Sequence, residues 1–166
     1  MARSSRPPTV NRAGGWPLLL GLLVLCFAVA AVGGLAASDA GETYASLDRP
    51  AWAPPAWLFG PVWTVLYVTI AVAGWLVART THRGRRRAMT AWGAQLALNL
   101  AWTPLFFGAG QYGLAFADIA LLAMAIVATI LLFLRIDRRA AALLLPYLCW
   151  VAFAGALNWA IWVSNE

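Results

Sequence analysis

Five apolar runs, each about as long as a bilayer is thick, leave this chain few folds to choose from. They cover Trp16 to Ala37, Leu58 to Ala78, Ala88 to Phe107, Leu114 to Leu134 and Ala142 to Val163. A helix of roughly 20 residues crosses about 30 Å of hydrocarbon. Inside lipid each peptide group must find its partner within the segment, which makes helices the only sensible structure for these runs. Of the 166 residues, 63% are hydrophobic and 11% charged, more apolar surface than a water-soluble domain of this size can hide. The expected fold is an all-α integral membrane protein: a bundle of five transmembrane helices forming one domain over 16–165. A tail at 1–15, rich in Arg, Ser and Pro, is expected to be disordered. The first run has a second reading, because Arg3, Arg6 and Arg12, an apolar stretch and small residues around Ala36 to Ala40 also describe a secretory signal peptide. Its apolar stretch is longer than a usual signal core.

All twelve basic residues are arginines, and they alternate sides. Three lie in the N-terminal tail, five in the second loop (Arg79, Arg83, Arg85, Arg86, Arg87) and three in the fourth (Arg135, Arg138, Arg139); only Arg49 falls on the other side. The excess of basic residues on cytoplasmic loops then places the N-terminus in the cytoplasm, with the first loop and the C-terminus opposite. A nucleic-acid partner is not expected, since T-T-H-R-G-R-R-R at 80–87 is a short turn beside the membrane rather than a folded basic surface. Contact with anionic lipid suits it better.

The usual catalytic equipment is missing from the sequence. Cys26 and Cys149 lie within apolar runs and His82 within the arginine loop. No metal-ligand spacing, nucleophile triad, phosphate loop or dinucleotide fingerprint occurs. Ten tryptophans remain to be explained. Headgroup-level anchoring suits Trp16, Trp57, Trp75, Trp159 and Trp162. Trp63, Trp102 and Trp150 lie deeper, toward the side of the first loop, and either share an interior cavity or pack against lipid and core.

That first loop runs Y-A-S-L-D-R-P-A-W-A-P-P-A-W-L-F-G-P-V-W-T-V-L-Y over 44–67. Four prolines fix φ and remove donors, so a defined non-helical lid is expected over the end of the second span. Helical spacing indicates which faces look beneath it. Gln95, Asn99, Trp102 and Phe106 share one face of the third span; Pro146, Trp150, Phe153, Ala154 and Leu157, with Asn158 alongside, share one of the fifth; Trp63 and Tyr67 are a turn apart on the second. Amides are expensive in hydrocarbon, so Gln95, Asn99 and Asn158 either meet a ligand or glue helices together. Asp118, one turn into the fourth span, has the same two readings. Gly93, Ala97 and Ala101 recur every four residues on the third span, letting two copies approach closely as a homodimer.

The lid segment at 44–67, N-L-A-W-T-P-L-F-F-G at 99–108 and P-Y-L-C-W-V-A-F-A-G-A-L-N at 146–158 together resemble the tryptophan-rich sensory protein / translocator protein family (TspO/MBR, the peripheral-type benzodiazepine receptor family). The likeness implies a five-helix receptor that commonly dimerises, has no obligatory cofactor, and binds porphyrins such as protoporphyrin or haem as ligand or substrate. It implies pocket tryptophans at Trp63 and Trp150, and ligand-binding roles for Tyr44, Asn99, Trp102 and Ala154. It also connects the family with light- and oxygen-dependent porphyrin breakdown, tetrapyrrole movement and stress-responsive regulation. Thr43 and Arg49 replace the aromatic and lysine often found around the lid. The last helix ends A-L-N-W-A-I-W-V-S-N-E with no basic residue, so cholesterol is not an expected ligand.

A flat macrocycle independently suits such residues. Aromatic faces above and below it add roughly 0.5–1.5 kcal/mol per pair beyond burial. Arg49 is the one cation on that side for a propionate, and no axial iron ligand is evident, which favours metal-free porphyrin over haem. Trp63 and Trp150 are the expected reactive pair, donating an electron or hydrogen to a light-excited porphyrin or intercepting the oxygen species it generates. The rival readings are a non-enzymatic sensor and a transporter; with no internal repeat or broken helix pair, transport ranks last.

Overall fold

The computed structural model describes residues 15–35 and 39–165. The tail expected over 1–15 lies outside these residues except for Gly15, as do the last two residues of the first expected span. Among the described residues the regular structure is entirely helical, in the order α1 (Gly15–Leu35), α2 (Ala40–Ser46), α3 (Phe59–Ala78), α4 (Arg85–Thr103), α5 (Tyr112–Leu134), α6 (Arg138–Leu143) and α7 (Leu145–Asn165). Four stretches are long and apolar enough to cross a bilayer: Gly15–Leu35, Ala56–Ala78, Tyr112–Leu134 and Arg138–Asn165. The expected span at 88–107 is not among them. It corresponds to α4 and the turn after it, whose apolar content is diluted by three arginines at its start and by Gln95 and Asn99 within. Large apolar side chains such as Val24, Leu121, Met124 and Leu131 stand exposed on the outer surface, where acyl chains rather than water are the natural neighbours.

Prolines set the local geometry. The lid is not wholly non-helical: α2 forms at 40–46 because the first of the four prolines comes only at Pro50, and nothing before it blocks a helix. From Leu47 the chain is extended, turns at Pro50–Ala53 and enters α3 through a single tight turn at Ala56–Leu58. Pro104 ends α4, and the backbone widens into a π turn over Pro104–Gly108 before Gly110, at φ +61°, reverses the chain. Pro146 falls at the second residue of α7, where its missing N–H costs no helical bond. The last expected span, 142–163, is therefore α6 and α7 joined at Leu144.

α4 packs along α5, α1 along α3, and α5 along α7, while α6 lies against α3 and α5. The tightest contact joins α3 to α4. The indole of Trp92 lies flat on Gly74, where an added Cβ would sit 2.8 Å from the ring, and its Nε1–H donates to the Ile70 carbonyl at 3.0 Å. Around it Ile70, Ala71, Ala73, Val77, Ala88, Ile126, Phe133 and Ala140 are fully or almost fully buried. Asp118 is buried on α5, and its Oδ2 has no partner among the described residues.

Candidate ligand cavity

The lid is a built structure fixed to the last helix. Tyr44 donates its hydroxyl to the Pro54 carbonyl at 2.9 Å, tying the two ends of the proline segment together. The Arg49 guanidinium lies 4.6 Å from the centre of the Tyr44 ring. Burial pushes the Tyr44 phenol above its ordinary pKa, and Arg49 pulls in the opposite direction. At the far end of α7, Asn165 donates to the Asp48 carbonyl and accepts from the Asp48 N–H, both at 3.0 Å. Trp52 packs edge-on against Phe153, and Phe59 against Trp150.

Beneath the lid is a cavity of about 430 Å³, within the range of small-molecule sites. Tyr44 and Phe59 form its roof, Trp63 and Tyr67 of α3 one wall, Asn99 and Trp102 of α4 another, and Phe27 and Gly33 of α1 the third. Behind it lies a closed cleft of about 10 Å³, room for a single water at most. Phe59, Trp63, Asn99 and Trp102 line both spaces. The far side of the cleft is made by Trp150, Val151 and Ala154 of α7 with Ile119 and Leu122 of α5. Trp150 Nε1 is buried without a hydrogen-bond partner among the described residues.

One polar line runs inward from the cavity wall. Tyr67 donates to Asn99 Oδ1 at 2.6 Å, Asn99 Nδ2 donates to the Tyr147 hydroxyl at 3.1 Å, and Tyr147 donates to Gln95 Oε1 at 2.8 Å. These bonds hold α3, α4 and α7 at one level and fix Asn99, the only side-chain amide among the described residues lining the cavity. Inside an apolar bundle, where no water competes, each such bond matters for position as much as for energy.

The expected site residues thus fall into three groups. Tyr44, Trp63, Tyr67, Asn99 and Trp102 line the cavity, and Trp150 and Ala154 join Trp63, Asn99 and Trp102 at the cleft. Arg49 is exposed at the rim, over Tyr44. Phe106 and Asn158 stand behind the wall. Phe106 is buried and stacks on Trp102 with ring centres 5.1 Å apart. Asn158 accepts from Trp102 Nε1–H at 3.0 Å and donates to the Tyr112 carbonyl at 2.9 Å, so it orients that indole. Of the two readings open for the amides, all three are joined to other helices, and Asn99 also lines the cavity. Sequence reasoning missed Phe27, Gly33 and Phe59 in the lining, and Tyr147 in the network. α1 is apolar on every side and offers no face to read; Tyr147 had a usable signal, being a hydroxyl needing a partner in an apolar run.

The profile of the TspO/MBR family matches residues 22–163. The chain is 42% identical over 126 residues to the translocator protein of Homo sapiens, covering 74% of this chain and 75% of that one. It is 39% identical over 153 residues to the tryptophan-rich protein TspO of Chlorobaculum tepidum, covering 86% and 95%. A tryptophan-rich sensory protein of Cereibacter sphaeroides is 38% identical over 143 residues, covering 86% and 88%.

Proposed function

The chain belongs to the TspO/MBR family and is an integral multi-pass membrane protein, and from that premise we propose that it binds a porphyrin in the cavity under the lid. The observation that carries this reading is the double wall: Trp63, Asn99 and Trp102 line both the 430 Å³ cavity and the cleft that reaches Trp150. A modest swing of Trp63 joins the two spaces and lets a planar ring lie against indoles from α3, α4 and α7. The Trp150 N–H, which lacks an acceptor among the described residues, then meets the ligand's edge. Arg49 at the rim takes a propionate, and Asn99 supplies the one amide contact. Among the described residues lining the cavity there is no His, Cys or Met to serve as an axial ligand, and the hydroxyls of Tyr44 and Tyr67 already donate to Pro54 and Asn99, so metal-free protoporphyrin suits it better than haem.

In this proposal α4 is the fifth span of a single membrane domain over 16–165. Its amides are tolerated because Tyr67 and Tyr147 bond both ends of Asn99 and the Gln95 oxygen from neighbouring helices, which leaves the Gln95 Nε2 without a partner among the described residues. The arginine-rich ends face the cytoplasm, and Gly93, Ala97 and Ala101 are the close-approach stripe for a second copy. Trp63 and Trp150 are the groups that quench an excited porphyrin: the indole passes it one electron, oxygen takes that electron from the reduced ring as superoxide, and the indole radical regains one from a ground-state ring, so the porphyrin is the group oxidised and oxygen the oxidant.

A second reading, ligand sensing, is favoured by the paired Asp48–Asn165 bonds. A ligand that shifts the lid also shifts the end of α7, a change that a partner protein can read. The name of the Cereibacter relative, tryptophan-rich sensory protein, agrees with that reading. The test is a titration of the purified protein with protoporphyrin, first in darkness and then under illumination with product analysis. Saturable dark binding with pigment loss in light supports catalysis, and saturable binding without pigment loss supports sensing. Absence of saturable binding overturns both. Trp63→Phe and Trp150→Phe variants that bind and degrade at the wild-type rate remove the reactive role from the two indoles.

A further inference from the structure

The end of the molecule remote from the lid carries charge that neither the fold nor the cavity uses. There the turn between α3 and α4 meets the turn between α5 and α6: a Cβ on Gly84 would lie 3.9 Å from Ile136 Cδ1. Together the two segments bring eight arginines to one face. Two are spent within the protein. The Arg79 guanidinium sits 4.3 Å from the centre of the Trp75 ring, and Arg85 donates to the carbonyls of Ala78 and Thr80 at 3.2 and 3.0 Å. Arg83, Arg86, Arg87, Arg135, Arg138 and Arg139 are exposed. The single carboxylate in the two segments is already engaged, since Asp137 Oδ1 accepts from the backbone N–H groups of Arg139 and Ala140 at 2.8 and 3.4 Å.

Local stability does not account for this arrangement. Arg85, Arg86 and Arg87 occupy the first turn of α4, where the helix dipole disfavours cations, and no acidic residue stands there to offset them. Membrane orientation does not account for all of it either. A positive-inside signal needs only charge, which lysine supplies equally, yet every one of the twelve basic residues is arginine. Arginine differs from lysine in its planar fork, which grips a phosphate through two parallel hydrogen bonds.

We propose that the two arginine turns form one surface that binds the phosphates of anionic phospholipid headgroups in the leaflet they face. Bilayer phosphates lie at the depth of these turns, and the excess of guanidinium over carboxylate is complementary to them. The surface is independent of the cavity and its ligand, so either can fail without the other.

The test uses the full chain in micelles containing equal amounts of phosphatidylglycerol and phosphatidylcholine, with retained lipid counted by native mass spectrometry. Each arginine near an anionic surface contributes roughly a fivefold preference, so the wild type is expected to retain phosphatidylglycerol at least about tenfold over phosphatidylcholine. Replacing Arg83, Arg86, Arg138 and Arg139 by Gln should lower the ratio several-fold or more, with Arg87 and Arg135 retaining part of it. Replacing the same four by Lys keeps the charge and should lower the ratio only part of the way. A wild type without preference, or a Gln variant that keeps it, overturns the proposal. A Lys variant equal to wild type overturns the fork-and-phosphate part. If the fourfold Gln variant cannot be recovered folded, the pairs R83Q/R86Q and R138Q/R139Q are measured separately. Each pair should lose several-fold, and an effect confined to one pair contradicts a shared surface.

Discussion

The two ends of this bundle are built from the same five long helices, α1, α3, α4, α5 and α7, and differ in how the space between them is filled. Toward the arginine turns, small residues let a large one seat fully: Trp92 lies on Gly74, bonds to Ile70 and is almost fully buried. Toward the lid, Trp63, Trp102 and Trp150 are only partly buried; the first two stand at the open cavity and Trp150 at the small cleft behind it. Both regions are rich in indole, so aromatic content alone does not make a cavity. The difference lies in what faces the ring. A glycine opposite lets helices close on it; another aromatic or a proline-stiffened lid holds them apart. Close packing at the arginine end is compatible with a lid end that remains open.

That contrast is most easily broken at Trp92. Trp92→Ala removes a fully packed side chain and should cost about 3–5 kcal/mol, seen as a large drop in thermal stability in detergent. The porphyrin affinity of the fraction that remains folded should be little changed. Gly74→Val drives a side chain into the same indole and should cost about 1–3 kcal/mol, with more if the helices cannot part. Trp63→Ala at the open end should cost less than Trp92→Ala, because one side of its ring already borders empty space.

Much of this was legible in the sequence. Run lengths located four membrane-length apolar helices, the prolines marked the extended part of the lid, and Asn99 and Trp102 of α4 line the cavity. What was not legible has physical reasons. α1 is apolar all round, so its contribution through Phe27 and Gly33 leaves no periodic trace. Helical spacing put Phe106 and Asn158 on the inward side, but spacing cannot tell the wall from the layer behind it, where both brace Trp102. The π turn after Pro104 follows from a missing N–H, but its width depends on neighbours the sequence does not specify. The polar content that dilutes α4 is also what fixes it, through Tyr67 and Tyr147.

Smaller effects sharpen the comparison. Tyr147→Phe breaks two hydrogen bonds behind the cavity and should cost about 1 kcal/mol, in keeping with interhelical bonds in membranes. It should also weaken porphyrin binding modestly by freeing Asn99. Asn165→Ala removes both bonds to Asp48 at an exposed site and should change stability by only a few tenths of a kcal/mol. Its effect belongs in kinetics: stopped-flow measurement should show faster porphyrin release with nearly the same association rate.

Dark titration of protoporphyrin, followed by its own absorbance in Trp63→Ala, Trp102→Ala and Trp75→Phe proteins of confirmed fold, bears most directly on the lid-end site. Losses of about tenfold or more are expected for the two lid-end variants, from removed stacking and burial, with wild-type affinity for the variant at the arginine end. Equal affinity in all four proteins, or a loss at Trp75 matching that at Trp63, would mean that the pigment binds elsewhere.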